Sequence, residues 1–309
     1  MNKFTKAGFA GLFLSLTAVM ASCGGSSTST TDTAAVTADV YPVTVGDLTL
    51  EAQPVSIISL SPTATEMLYA IGAGSQVVAV DEYSNFPAEA VALGTKLSGF
   101  EPNIEAISSY SPDLVIVSYD PGSLVEQLGT LNIPVFVAGA AMSLENVYEQ
   151  IEQLGVLTGH SQAAIEVSKT LQTGIEEAVA SVKFSEPPLS YYYELDNTYY
   201  SVTSNTFVGQ IFNLFGMRNI ADNVESGNDY PQLSAEVIVS SDPDFIFLAD
   251  TKCCAQDATT VAARDGWGGL KAVTANQVVE LDDDISSRWG PRVLDLITAI
   301  RDAVAAANS

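Results

Sequence analysis

One segment of this chain occurs twice. Glu105-Ala-Ile-Ser-Ser-Tyr-Ser-Pro-Asp113-Leu-Val-Ile-Val117 returns as Glu236-Val-Ile-Val-Ser-Ser-Asp-Pro-Asp244-Phe-Ile-Phe-Leu248, with the glutamate-to-aspartate spacing unchanged. Each copy reads as an acidic residue on a short helix, a Pro-Asp turn and a run of four apolar residues. Each follows a similar unit, Ser61-Pro-Thr-Ala-Thr-Glu66 through to Gly72 and Ser204-Asn-Thr-Phe-Val208 through to Gly216. Self-similarity on this scale constrains architecture before local detail does. Two copies are too few to stack as a solenoid, so the pattern predicts two related lobes with a cleft between them. Chance recurrence of a common helix-to-strand connection is the competing reading.

The local signals agree with an α/β chain. Apolar runs at 55–60, 77–80, 113–117 and 134–137, then at 189–193, 245–248 and 277–280, read as strands. Helical patterns fall between them at 61–72, 125–131, 144–158, 207–215 and 293–306. This alternation implies three layers with mostly parallel sheets. Pro62 suits a first helical turn, and Thr63-Ala-Thr-Glu66 fits a capping box, which gives Glu66 a structural task. Gly72-Ala-Gly74 follows a helix where a dinucleotide loop would follow a strand.

Residues 161–183 contain no proline, and Ala164, Val167, Leu171, Ile175, Ala178 and Val182 recur at helical spacing. They predict one helix about 35 Å long, either a stiff hinge between the lobes or a packing helix of one larger sheet. The predicted architecture is thus two Rossmann-like lobes with mostly parallel sheets joined by one long helix: an N-terminal lobe at 54–160, the interlobe helix at 161–183 and a C-terminal lobe at 184–309.

The N-terminus points outside the cytoplasm. Lys3 and Lys6 precede an apolar stretch, Ala7 to Met20, that is too short to span a bilayer as a mature helix. Met20-Ala-Ser-Cys23 then places small residues before a cysteine, the pattern of a lipoprotein signal at 1–22 with Cys23 lipidated. Ordinary secretion is the plainer alternative. Residues 23–53 are expected to act as a flexible tether, on the strength of the Ser/Thr-rich run after Cys23. With 12 basic against 37 acidic residues and a formal charge of −25, nucleic-acid binding and polybasic membrane contact are excluded. Surface acidity of this kind also suits a saline habitat.

Catalysis is poorly supplied. There is no Gly-x-Ser-x-Gly elbow, no His-Glu-x-x-His and no phosphate loop, and the one histidine, His160, sits at a helix end where capping explains it. A metal site is equally unsupported. Cys253 and Cys254 are neighbours. In an oxidising compartment they form either a vicinal disulfide that stiffens a loop or a reactive thiol pair. The second reading would make the chain a tethered thiol-redox protein, and a scaffold at the cell surface is a third class.

The runs from Pro54 through Gly74, Val77 through Pro87 and Asn103 through Val117 resemble the first lobe of class III periplasmic binding proteins. Those proteins serve ABC importers of cobalamin, haem and ferric siderophores. The runs Tyr230 through Leu248 and Asp282 through Arg292 resemble the second lobe, most closely in the cobalamin-binding branch. The resemblance implies a monomeric, extracytoplasmic, lipid-anchored receptor with no resident cofactor and no enzymatic activity. It would hand its ligand to a permease of two transmembrane subunits driven by an ATPase. Glu105 and Glu236 match the two docking glutamates. Tyr83 matches an aromatic that packs on ligand, Tyr230 replaces a tryptophan, and Tyr119 lies one position beyond another. Asp284 and Arg288 match a polar ligand-binding pair, with Trp289 beside them and Tyr200 a further candidate. Ser98-Gly99-Phe100 stands where the branch has another tryptophan, so a different corrinoid, haem or a siderophore stays open.

Overall fold

Two four-stranded sheets with the same strand order make up the core of the protein. The computed structural model describes residues 39–308. The signal at 1–22, Cys23 and the first part of the tether lie outside the described residues. The first sheet holds β3 (Ile57–Leu60), β4 (Val77–Val80), β5 (Leu114–Val117) and β6 (Val135–Val137) in the order β4-β3-β5-β6. The second holds β7 (Ser190–Glu194), β8 (Arg218–Asn219), β9 (Phe245–Leu248) and β10 (Val278–Glu280) in the order β8-β7-β9-β10. Each is therefore second-first-third-fourth, and every pairing within both is parallel. The central strands are buried on both faces, which is why they read as continuous apolar runs.

The repeated Pro-Asp has one job in both lobes. Asp113 Oδ2 accepts from the backbone N–H groups of Val55 and Ser56 at 2.9 and 3.0 Å. Asp244 Oδ2 accepts from the backbone N–H and the hydroxyl of Ser190 at 2.8 and 2.7 Å. Each carboxylate fastens the entry of its sheet's first strand. The residue before each proline, Ser111 or Asp242, takes a left-handed φ of 48° or 44°. Proline disfavours the right-handed helical region there, so the helix must end.

The lobes share the largest buried cluster, and each keeps a smaller one of its own, about Ile58, Val115 and Leu128 in the first and about Tyr192, Ile246 and Trp267 in the second. Ile57, Leu114 and Ile116 of the first sheet belong to one buried cluster with Tyr191, Tyr193, Phe245 and Phe247 of the second. Three helices bridge them: Leu144–Thr158, Ser161–Ala180 and Val293–Ala307. The Ser161–Ala180 helix, stopping short of residue 183, packs against the other two. A Cβ on Gly155 would overlap that of Ala164, so glycine lets the first two helices touch. A shared core of this kind resists wide opening.

Two expectations need correction. The tether does not run to 53, because β1 (Val43–Val45) and β2 (Leu48–Leu50) form an antiparallel hairpin whose alternating apolar residues pack on the core. Nor does Glu66 close a capping box. Ser61 is the N-cap, accepting from Ala64 N, and Glu66 faces the other lobe.

Candidate functional site

Glu105 and Glu236 occupy equivalent positions. Each is the second residue of a short helix, Ile104–Ser108 or Ala235–Ser241, capped by Asn103 or Ser234. Both side chains are exposed, and among the described residues neither joins a salt bridge. The Glu236 pKa is lowered by its own backbone N–H and by the Ser234 hydroxyl, so it stays charged.

The loops after the carboxyl ends of both sheets converge on two cavities, as expected for open parallel sheets. The smaller, about 260 Å³, lies in the first lobe against Leu60, Asp81, Tyr83, Phe100 and Tyr119. Its aromatic wall is continuous: the Tyr83 and Phe100 rings meet edge to face at 5.6 Å, and Phe100 and Tyr119 are 6.4 Å apart. These rings are 53%, 63% and 43% exposed, an apolar face without a partner. Gly99 is required beside it, since a Cβ there would lie 2.8 Å from the Leu60 carbonyl.

The larger cavity, about 490 Å³, lies between the lobes. Met142 and its neighbours line it from the first sheet's side; Phe207, Tyr230, Cys253, Arg288 and Trp289 line it from the second. Arg288 Nη2 donates to the Tyr83 carbonyl at 3.0 Å, so the two cavities are one side chain apart. Tyr83 and Tyr119 thus share one cavity, and Tyr230, Arg288 and Trp289 the other. Asp284 and Tyr200 line neither; Tyr200 instead pairs with Gln232 through a backbone bridge.

Arg288 is engaged by protein. It donates to Glu66 Oε1 at 2.8 Å, Asn85 Oδ1 at 2.9 Å and Asp284 Oδ1 at 2.7 Å, besides Tyr83. Glu66, 3% exposed, also accepts from Arg292 Nη2 at 2.6 Å and Nε at 2.9 Å. Arg292 lies over the Phe86 ring at 4.3 Å. A buried glutamate of the first lobe thus holds two arginines of the second. Burial pushes the Asp284 carboxyl up, but the Lys252 hydrogen bond and the Arg288 charge hold it below the usual range. The expected ligand-binding pair is, in this structure, part of an interlobe latch. Trp289 joins it by donating Nε1–H to Gln150 at 3.1 Å.

Cys253 and Cys254 hold their sulfurs 2.7 Å apart with no bond between them in this structure. Burial and then Cys254 push the Cys253 thiol up to about 12. No cluster of three potential metal ligands occurs among the described residues.

A model of the family described as periplasmic binding protein matches residues 57–285. The chain belongs to the periplasmic binding protein family. It is 28% identical to YvrC of Bacillus subtilis, an uncharacterized ABC transporter substrate-binding lipoprotein, over 97% of each chain. A cobalamin-binding protein of Halobacterium salinarum is 29% identical over 85% of this chain and 74% of its own. The crystal structure of the periplasmic vitamin B12 binding protein BtuF of Vibrio cholerae superposes with a TM-score of 0.67 at 27% identity, covering 83% of this chain and 98% of that one. The haem-binding protein RhuT of Roseiflexus superposes at 0.72 with 21% identity over 82% and 99%, which shows the fold alone.

Within this binding protein, sequence reasoning missed Met142 and Phe207 as cavity residues and Glu66 with Arg292 as the latch, and it placed Phe100 where the branch has a tryptophan without counting it as a site residue. Phe100 had a signal, a large aromatic after glycine between two expected site tyrosines. The latch had none, since its partners lie 222 and 226 residues apart.

Proposed function

We propose that this is a lipid-anchored, extracytoplasmic solute-binding protein that delivers cobalamin or a related corrinoid to an ABC importer. It carries out no chemistry itself; a partner ATPase drives transport. Support for delivery comes from the family and from the duplicated Glu105 and Glu236, which offer one acid per lobe to a permease of two subunits. Their contribution is register and steering, because an exposed ion pair is worth only about 0–1 kcal/mol.

The observation that carries the choice of ligand is the pairing of an open aromatic wall with the absence of a free cation. Tyr83, Phe100 and Tyr119 offer a mixture of ring edges and faces to a large apolar ring. Arg288 is the only Lys or Arg lining either cavity among the described residues, and Glu66 and Asp284 already neutralise it. A corrinoid edged by neutral amides suits that lining better than the carboxylates of haem or an anionic catecholate siderophore. Tyr230 and Trp289 would meet the ligand from the second lobe.

Calorimetric titration of the full chain in detergent with cyanocobalamin, then with haemin, tests this. One-to-one binding of cyanocobalamin supports the corrinoid. Haemin binding alone keeps the receptor and replaces its ligand. Silence with both turns attention to siderophores and to the thiol pair as the working part.

A further inference from the structure

The thiol pair sits where a change in it would be felt by ligand. Cys253 lines the larger cavity beside Asp283, Arg288 and Trp289, and is exposed. The turn that carries it is held from both ends. Asp283 accepts from Lys252 N at 3.0 Å, Cys253 N at 2.8 Å and the Thr251 hydroxyl at 2.9 Å. The Asp250 carbonyl accepts from Cys254 N at 3.2 Å and Gln256 N at 3.4 Å. Ala255, next in line, takes a left-handed φ of 52°. The sulfurs therefore face each other across 2.7 Å in an anchored turn and need no loop search to meet.

We propose that Cys253 and Cys254 are a reversible redox modification site in the cavity wall: a disulfide of the extracytoplasmic space oxidises them to an eight-membered ring, and the ring changes the affinity of the adjacent cavity. The affinity half rests on the receptor reading above; the chemistry does not.

The step balances. The Cys254 thiolate attacks one sulfur of a small disulfide and expels the first thiolate. The Cys253 sulfur then attacks Cys254 and expels the second. The two cysteine protons go to the two released thiolates, and two electrons pass to the oxidant. Cys253 holds its proton firmly, so the first attack falls to Cys254. Neighbouring residues are about 3.8 Å apart at Cα, closer than the usual disulfide separation, which makes the bond labile and the change reversible. Closure draws the Cys253 sulfur toward Cys254 and removes a thiol from the wall that Trp289 shares.

The test treats the full chain in detergent with oxidised glutathione and digests it with trypsin. The peptide 253–264 carries both cysteines and excludes Cys23. The expected peptide is two hydrogens lighter, resists alkylation, and regains two alkylatable thiols with dithiothreitol. Cys253→Ser should instead carry glutathione on Cys254, the attacking sulfur left without its partner. Two free thiols after oxidation, or glutathione on both, would overturn the ring. Cyanocobalamin or haemin affinity should differ between the two states by about tenfold, and Cys254→Ser should abolish that redox dependence; equal affinities overturn the gate. If neither ligand binds in either state, the corrinoid and haem readings fail while the peptide mass still decides the ring.

Discussion

The two lobes share a scaffold and differ where they face each other. Strand order, the Pro-Asp clamp and the position of the exposed glutamate are the same. Register makes the difference visible. Leu60 pairs with Val117 in the first sheet as Glu194 pairs with Leu248 in the second. By that register Leu60 corresponds to Glu194, and Tyr119 to Asp250. In the first lobe these positions line the smaller cavity. In the second they are buried acids, with Glu194 held by both terminal nitrogens, Nη1 and Nη2, of Arg264. The outward parts stayed duplicated and the cleft-facing ends diverged. That division suits the proposed receptor, which would meet a two-subunit permease with its outward parts and one ligand with its cleft.

The most severe way to break this symmetry is at Glu105 and Glu236, the proposed docking acids. Glu105→Ala with Glu236→Ala should reduce cellular uptake to background while ligand affinity stays within about twofold, since neither lines a cavity. Each single variant should lose part of the uptake, and similarly. A single variant as defective as the double would show that the lobes are not equivalent to the permease.

The latch is asymmetric by construction, with the acid on one lobe and the bases on the other. Glu66→Ala leaves Arg288 and Arg292 without their buried partner, at a cost of about 3–5 kcal/mol. Urea denaturation followed by tryptophan fluorescence measures it. Because both sheets share one core, the transition should remain single. Two separate transitions would mean that the lobes fold apart and the latch merely links them.

How much of this was legible follows from what each feature depends on. The central strands were readable because burial on both faces leaves an apolar run, as at Phe245–Leu248. The duplicated acids were readable because both copies kept their spacing. Strand β8 is two polar residues defined only by pairing with Ser190 and Tyr191, so no local pattern marks it. The hairpin did have a pattern, Val43, Val45, Leu48 and Leu50 about Gly46, overshadowed by the Ser/Thr-rich run before it. Arg288 was recognisable as a cation at the cleft, but a residue's identity does not show which of its partners comes from 222 residues away.

The divergent acid pair predicts a pH dependence confined to the second lobe. Both carboxylate oxygens of Asp250 are buried without a hydrogen-bond partner. Burial, then the Glu194 charge, raises its pKa from 3.8 to about 7, with Arg264 opposing. The folded protein therefore keeps a proton that the unfolded chain releases between pH about 4 and about 7. Stability should fall as pH rises through that window and level off above it. Asp250→Asn should flatten that slope and stabilise the protein at pH 8 by about 2–4 kcal/mol. Denaturation midpoints across that range check it, and an unchanged slope would place the titrating group elsewhere.

The smallest expected effect separates the aromatic wall from a tyrosine that only resembles part of it. Phe100 and Tyr200 are both exposed, at 63% and 41%, and exposure alone would rank them together. Their settings differ. Phe100 stands between Tyr83 and Tyr119 and faces a cavity, whereas Tyr200 lines neither cavity and is held by its backbone bridge to Gln232. Truncating Phe100 removes a ring face and also frees its neighbours to reorient. Phe100→Ala should weaken cyanocobalamin binding by about 1–2 kcal/mol, roughly five- to thirtyfold. Tyr83→Ala should act similarly, and the pair should fall short of additive because the two rings touch. Tyr200→Ala should leave affinity unchanged. Equal losses at Phe100 and Tyr200 would mean that the ligand reaches across the second lobe's outer loop, and that the first lobe's wall is only one of its supports.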